Sequence, residues 1–275
     1  MNITRFYAAI ALALSASVAN SDWLDDPITG CAIWNEEPQG QEVMSWSGDC
    51  AAGKATGEGT LDWFRDGALL GRYNGGMDGG KLSGHGVLYI RSDDASGYDR
   101  FDAQFDDGDF DGPVSLLESS GDRFEGNMVD DLIEGYGSFI GANGDRYDGQ
   151  FKAGLPEGEG YSEDATGETY NGVFKAGVRH GRGVLVEEDG GRFEGEFVDG
   201  ILQGWATYNA VDGTRLVGRF NDGKVNGPAS FVDVNGDVYQ GQMVDGEANG
   251  EVSVTRADGM RERQVYERGE LKRTE

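Results

Sequence analysis

The chain has 275 residues, 47 of them glycine and 5 proline, with 11% aromatic residues. That pairing excludes a collagen, a proline-rich linker and a disordered tail, because aromatic burial offsets the entropy lost on ordering. Asp and Glu number 50 against 23 Lys and Arg, a formal net charge of −27, which excludes nucleic acid as a partner, since neutralising phosphates needs clustered cations.

Residues 1–19 read as a secretory signal: Arg5 without an acid, a run of about a dozen small and apolar residues, then Ser17-Val18-Ala19. That apolar core is too short for a lasting transmembrane helix, and no longer one follows, so the mature protein is expected to be exported and soluble, periplasmic or secreted. Residues 20–45 read as an N-terminal capping segment. Cys31 and Cys50 are the only cysteines, and an even pair in an oxidising compartment reads as one disulfide, with two free buried thiols as the alternative. Closing such a loop stabilises by roughly 3 kcal/mol in the chain-entropy view.

From Trp46 a pattern repeats: aromatic-x-Gly-x-aromatic or Met, then Gly three residues on, then Gly-x-Gly or a small residue. Copies start at Trp46, Tyr73, Phe101, Phe124, Tyr147, Tyr170, Phe193, Leu216 and Tyr239. The first two spacings are longer (73 − 46 = 27, 101 − 73 = 28), and every later one equals 124 − 101 = 23. This array covers residues 46–261, and 262–275 form a degenerate copy and cap. Numbering each copy from its start, positions 1, 3 and 5 alternate with mostly polar positions 2 and 4, such as Glu194 and Glu196, which predicts a strand. Positions 12, 14 and 16 predict a second strand, and turns such as Lys-Ala-Gly or Val-Asp-Gly between them require a glycine at positive φ. The fold class expected is all-β, an elongated single-layer antiparallel meander of stacked β-hairpins. Position 12 is glycine in all nine copies, and it is expected to offer flat backbone on which the aromatic rings lie.

The pattern resembles the MORN repeat, Tyr-x-Gly-x-Phe-x-x-Gly followed by Gly-x-Gly. The lead-in with Cys31, Trp34 and Trp46-Ser-Gly-Asp-Cys50 is similar to that of exported bacterial MORN proteins. The resemblance implies a curved antiparallel sheet used for binding and scaffolding. Departures occur at Ala103, Pro113 and Val114, at Asp131 in place of a turn glycine, at Leu216, and at Ala206, Ala229 and Val252 in place of the last glycine. They are expected to alter groove width or curvature locally.

Enzyme motifs are missing: no G-x-S-x-G, H-E-x-x-H or P-loop occurs. His85 and His180 occupy different repeat positions and read as hairpin-edge residues. The chain is therefore expected to be no enzyme, with no catalytic residue, cofactor or metal. Asp93, Asp94, Asp99, Asp102, Asp106, Asp107, Asp109 and Asp111 crowd one stretch with only Arg100 beside them. Oxygen-rich runs can hold calcium, but this one matches no calcium loop and reads as a solvated face. The Asp233-Val-Asn-Gly-Asp segment has Val238 where a calcium loop needs glycine, so it reads as a turn.

What remains is the aromatic ladder of Tyr73, Phe105, Phe124, Tyr147, Phe151, Tyr170, Phe174, Phe193, Phe197, Phe220 and Tyr239. It is mostly self-buried core, with a partial groove expected at the central copies. The candidate binding face is Tyr147, Phe151, Tyr170, Phe174, Phe193 and Phe197. The expected function is a non-catalytic exported scaffold gripping an unidentified protein or cell-envelope polymer. The alternative is a peripheral lipid binder, disfavoured because anionic headgroups need basic patches.

Overall fold

The computed structural model describes residues 22–36, 41–92 and 97–275. The leading segment 1–19 lies outside them, as do Asp93 and Asp94. The described residues form 23 strands and no helix. The chain divides into two compact units, the first ending at Leu155 and the second beginning at Pro156.

The first unit opens with the capping segment. β1 (Asp22–Asp25) pairs antiparallel with β2 (Ala32–Asn35). β3 (Glu42–Trp46) and β4 (Asp49–Ala51) both pair antiparallel with β5 (Lys54–Arg65), which β2 also meets in parallel at Ala32 and Lys54. Asp26 is the hub: 2% exposed, its carboxylate accepts bonds from the amides of Ile28 (2.6 Å), Thr29 (3.0 Å) and Trp46 (2.7 Å). Burial pushes this carboxyl up, but the three amides outweigh it and hold it below the ordinary aspartate value. Cys31 and Cys50 lie at disulfide distance, with Cα atoms 5.8 Å apart. Lys54 lies 3.9 Å over the Trp23 ring.

The first repeat departs from a plain hairpin. Its first strand breaks at Ser47-Gly48 into β3 and β4, so Cys50 is exposed where Met77, Phe105 and Phe151 are buried in the same repeat position. After β5 every strand from Ala68–Asp78 to Arg146–Lys152 pairs antiparallel with its sequence neighbour.

The second unit is itself an antiparallel meander, from Thr169–Lys175 paired with Val178–Val186 through to Val238–Val244 paired with Glu247–Thr255. The degenerate copy keeps the hairpin, with Arg261–Glu267 paired with Glu270–Thr274. Within hairpins both turn residues take positive φ, as at Asp199 (49°) and Gly200 (83°), the turn whose twist matches that of the flanking strands.

The position-12 glycines have a different job from the one expected. All nine take positive φ, from 59° at Gly181 to 122° at Gly112. Gly135 sits opposite a register shift between Glu125 and Asn127, and a Cβ there, as at Gly84, Gly204 and Gly250, would meet nothing within 4 Å. They serve backbone bulges rather than rings. The rings lie instead on positions 3 and 14. A Cβ at Gly75 would lie 2.4 Å from the Tyr73 hydroxyl oxygen and one at Gly86 2.2 Å from that ring. Trp46 covers Gly48 and Gly59, Phe124 covers Gly126 and Gly137, and Tyr170 covers Gly172 and Gly183 in the same way.

Candidate functional site

Five of the six residues expected to form a binding face are core. Tyr147 and Tyr170 are fully buried, and Phe151, Phe174 and Phe197 are between 2% and 4% exposed. Within the first unit Phe151 meets Tyr147 and Phe124 edge-to-face at 5.0 and 5.4 Å. Within the second, Tyr170 meets Phe174 and Phe197 edge-to-face, each at 5.2 Å. The Tyr170 hydroxyl donates to the Val173 carbonyl at 3.2 Å. Arg179, ion-paired with Glu168, lies 5.3 Å from the ring centre and lids it. Burial, opposed by the Arg179 charge, pushes the Tyr170 phenol up to about 12. These ring faces are spent on packing.

Phe193 differs: it is half-buried. The cause lies one strand away. In its copy position 14 is Ala206, and a Cβ at Gly195 would meet the Ala206 methyl at 2.6 Å and the Leu202 side chain at 2.9 Å. Aliphatic groups thus fill the space that a ring occupies elsewhere. The next two copies repeat the exchange, with Val225 and Ala229 over Gly218 and Val252 over Gly241. Their position-1 side chains, Leu216 and Tyr239, are half-buried as well. Copy 101 shows what else is needed: Val114 stands at position 14, yet Phe101 stays 4% exposed because Phe110 packs against it at 5.2 Å.

The outcome is one cross-strand row on one face of the sheet in the second unit. Phe193 pairs across with Tyr208, Tyr208 with Leu216, Leu216 with Phe231, and Phe231 with Tyr239. Phe193 and Tyr208 are 4.5 Å apart and tilted, Phe231 and Tyr239 5.8 Å apart, and Phe231 is 37% exposed. Sequence reading included Phe193 and Tyr239 in the ladder but missed Tyr208 and Phe231. Aromatic residues at position 16 combined with a methyl at position 14 were the available signal.

Acidic turns border the row. Burial raises the Tyr208 phenol, and the charges of Asp189, Glu187 and Asp212 raise it further. Tyr239 is raised by burial and Asp233, against Arg256. Asp189, Asp212 and Asp233 cap their own turns, the last accepting from the Asn235 and Asp237 amides at 2.9 and 3.0 Å, which makes that segment the expected turn. Glu187 is itself raised, first by burial, then by Asp189 and Glu168. Among the described residues no Lys or Arg pairs with Glu187, Asp189, Asp212 or Asp233. Arg256 is engaged by Asp237 and Glu262.

In the acidic stretch of the first unit, several carboxylates are engaged by local partners. Asp102 is bonded by His85 at 2.7 Å and Arg100 at 2.6 Å, Asp107 by Lys81 at 2.7 Å, and Asp99 accepts from the Ser119 amide at 2.8 Å. Among the described residues no three His, Cys, Asp or Glu are placed to hold a metal. His85 is exposed in the first unit, and His180, in the second, has a buried Nδ1 without a hydrogen-bond partner.

Comparison with known proteins follows the same lines. The MORN repeat matches at residues 73–94, 124–146, 147–169, 170–192, 193–215 and 239–261. Copies at Trp46, Phe101 and Leu216, which have the broken strand, the Ala103–Val114 exchange and the missing ring, fall outside those ranges. No curated protein matches the chain. Among solved structures it is similar to the TCP domain of Drosophila melanogaster SAS-4 (dCPAP), in complex with a proline-rich motif of Ana2 (dSTIL). That match has 12% identity, covers 66% of this chain and 90% of that one, and has a TM-score of 0.38. It is also similar to the TCP10 domain of Danio rerio CPAP in complex with a STIL peptide, at 11% identity, 84% and 98% coverage and a TM-score of 0.43. On its repeats, the chain belongs to the MORN-repeat family.

Proposed function

We propose that the chain is an exported, non-catalytic binding scaffold that engages a protein through the half-open row of its second unit. The observation that carries this reading is the row itself: in three successive copies the position-1 side chain, Phe193, Leu216 or Tyr239, stays half-buried and leaves apolar surface open, and such surface on a soluble protein marks an interaction site. The Cys31–Cys50 disulfide supports export, because disulfides persist in oxidising compartments. The acidic border and the net charge of −27 disfavour anionic lipid as the partner.

The test is capture from cell-envelope extract by residues 20–275, beside sedimentation with phosphatidylglycerol vesicles. A Tyr208→Ser/Phe231→Ser variant, checked for native circular dichroism, is run in parallel. A protein captured by the wild type and lost by the variant is expected, with little vesicle binding. Capture unchanged in the variant, an envelope glycan in place of a protein, or strong vesicle sedimentation overturns the reading.

A further inference from the structure

Taking the row as a docking surface, we infer that its occupant is a basic protein segment in the polyproline II conformation, with Lys or Arg at every third residue. The inference rests on the reading above and adds the chemistry of the partner.

Three observations fix that chemistry. The first is charge. Glu187 and Asp189, Asp212, and Asp233 stand on three successive turns along one edge of the row, without a cationic partner among the described residues. A segment carrying cations on one side compensates them, and an acidic one is repelled.

The second is spacing. Neighbouring strands lie ~4.8 Å apart, so the hairpin period is ~9.6 Å. A polyproline II helix rises ~3.1 Å per residue with three residues per turn, so equivalent side chains recur every ~9.3 Å. Cations on every third residue therefore meet the successive acidic turns in step. In an added β-strand, side chains on one face recur every ~6.8 Å and fall out of step after one turn.

The third is hydrogen bonding. The row lies on the face of the sheet, where backbone amides and carbonyls are already paired across strands. A β-strand docked there would gain no ladder. A polyproline II segment has no internal hydrogen bonds to complete, and its carbonyls are free to accept from tyrosine hydroxyls while its rings pack on aromatic side chains. Tyr208 and Tyr239 supply such hydroxyls beside Phe193 and Phe231. The Tyr239 oxygen accepts from Arg256 at 3.3 Å and keeps its own proton to donate.

The experiment is fluorescence anisotropy of labelled (Pro-Pro-Arg)4, (Pro-Pro-Gln)4 and (Pro-Pro-Glu)4, with a lysine-rich amphipathic helical peptide as a fourth probe. They are titrated with residues 20–275 as the wild type, the Tyr208→Ser/Phe231→Ser variant, and a Glu187→Gln/Asp189→Asn/Asp212→Asn/Asp233→Asn variant. The last variant keeps the turn-capping oxygens, so it removes the charge while the turns stay formed. The arginine peptide is expected to bind at least tenfold tighter than the glutamine peptide, to weaken about tenfold between 50 and 500 mM salt, and to lose at least tenfold in each variant. Equal binding of the three proline peptides, or tighter binding of the helical peptide, with the row variant still defective, overturns the inference and leaves the docking surface standing. Arginine-peptide binding unaffected by the row variant overturns the inference as well. The docking reading itself falls only if extract capture is independent of the row.

Discussion

Gly183→Ala places a methyl group where the buried ring of Tyr170 lies. The added Cβ would sit 2.3 Å from the hydroxyl oxygen, 2.4 Å from Cζ and 2.5 Å from Cε2, with the Gly172 backbone behind it. No rotation of the methyl relieves this, so the ring must leave, as Phe193 has left where Ala206 stands. A tyrosine buries roughly 150–250 Å². Losing about half of that at ~25 cal/mol per Å² costs ~2–3 kcal/mol. Gly181→Ala is the control: its φ of 59° makes alanine unfavourable by ~1–2 kcal/mol, but no ring lies over it. With two compact units a single melt is not assumed to be two-state, so hydrogen exchange is read over residues 169–186. Gly183→Ala should raise exchange there by the equivalent of ~2–3 kcal/mol. It should also bring one phenol, pushed to about 12 in the wild type, back toward the ordinary tyrosine value in a spectrophotometric titration. The control should leave that phenol where it is. A loss under ~0.5 kcal/mol with an unchanged titration would refute the account of positions 3 and 14 as ring seats.

Asp131 stands at a turn position with φ of 63°, and burial pushes its carboxyl up to about 6, against a bond from the Phe110 amide, with Asp109, Glu36 and Asp130 adding to the rise. A raised folded value means stability is lost as pH rises from about 4 through 6. Asp131→Asn keeps the acceptor and should gain ~1 kcal/mol at pH 8 after allowance for solvent screening, and nothing at pH 4, read as hydrogen exchange over residues 109–140 at the two pH values. Asp26 has the opposite sign: its lowered carboxyl contributes above the ordinary aspartate value, and that contribution disappears as pH falls through the folded value. Asp26→Ala should cost ~3 kcal/mol by stranding buried amides, measured as exchange over residues 22–46 at pH 7. Alkylation without reduction should add no mass at Cys31 and Cys50, and reduction should loosen residues 22–36 in exchange; two adducts before reduction would deny the bridge.

The hairpin register was legible in the sequence because alternation and glycine punctuation are local properties. Positions 1, 3 and 5 of copies 147 and 170 read directly as a strand, and the segment Asp233–Asp237 as a turn. The reason for the position-12 glycines was not legible, since a bulge and a ring seat both demand glycine and only backbone angles separate them. The break at Ser47-Gly48, which leaves Cys50 exposed, was hidden because the aromatic-x-Gly spacing runs through it, and Cys50 at position 5 reads equally as a small buried residue. The row escaped for a related reason. Ala206, Ala229 and Val252 were visible as departures, but a methyl there acts on a side chain one strand away, and sequence spacing alone does not show which neighbour must yield.

That action at one remove makes the extent of open surface a countable quantity. Where no second ring packs on it, as Phe110 does on Phe101, a position-1 ring takes one of two seats, and an aliphatic side chain at position 14 of the adjacent strand selects which. The number of successive copies bearing that side chain then sets how long the open strip is, in steps of one hairpin. A lineage could lengthen, shorten or shift the strip along the array by single glycine–alanine exchanges, leaving connectivity and loop lengths untouched. Each lengthening step would weaken the scaffold by one ring's worth of packing, so the longest workable strip is bounded by how much stability the neighbouring closed copies supply.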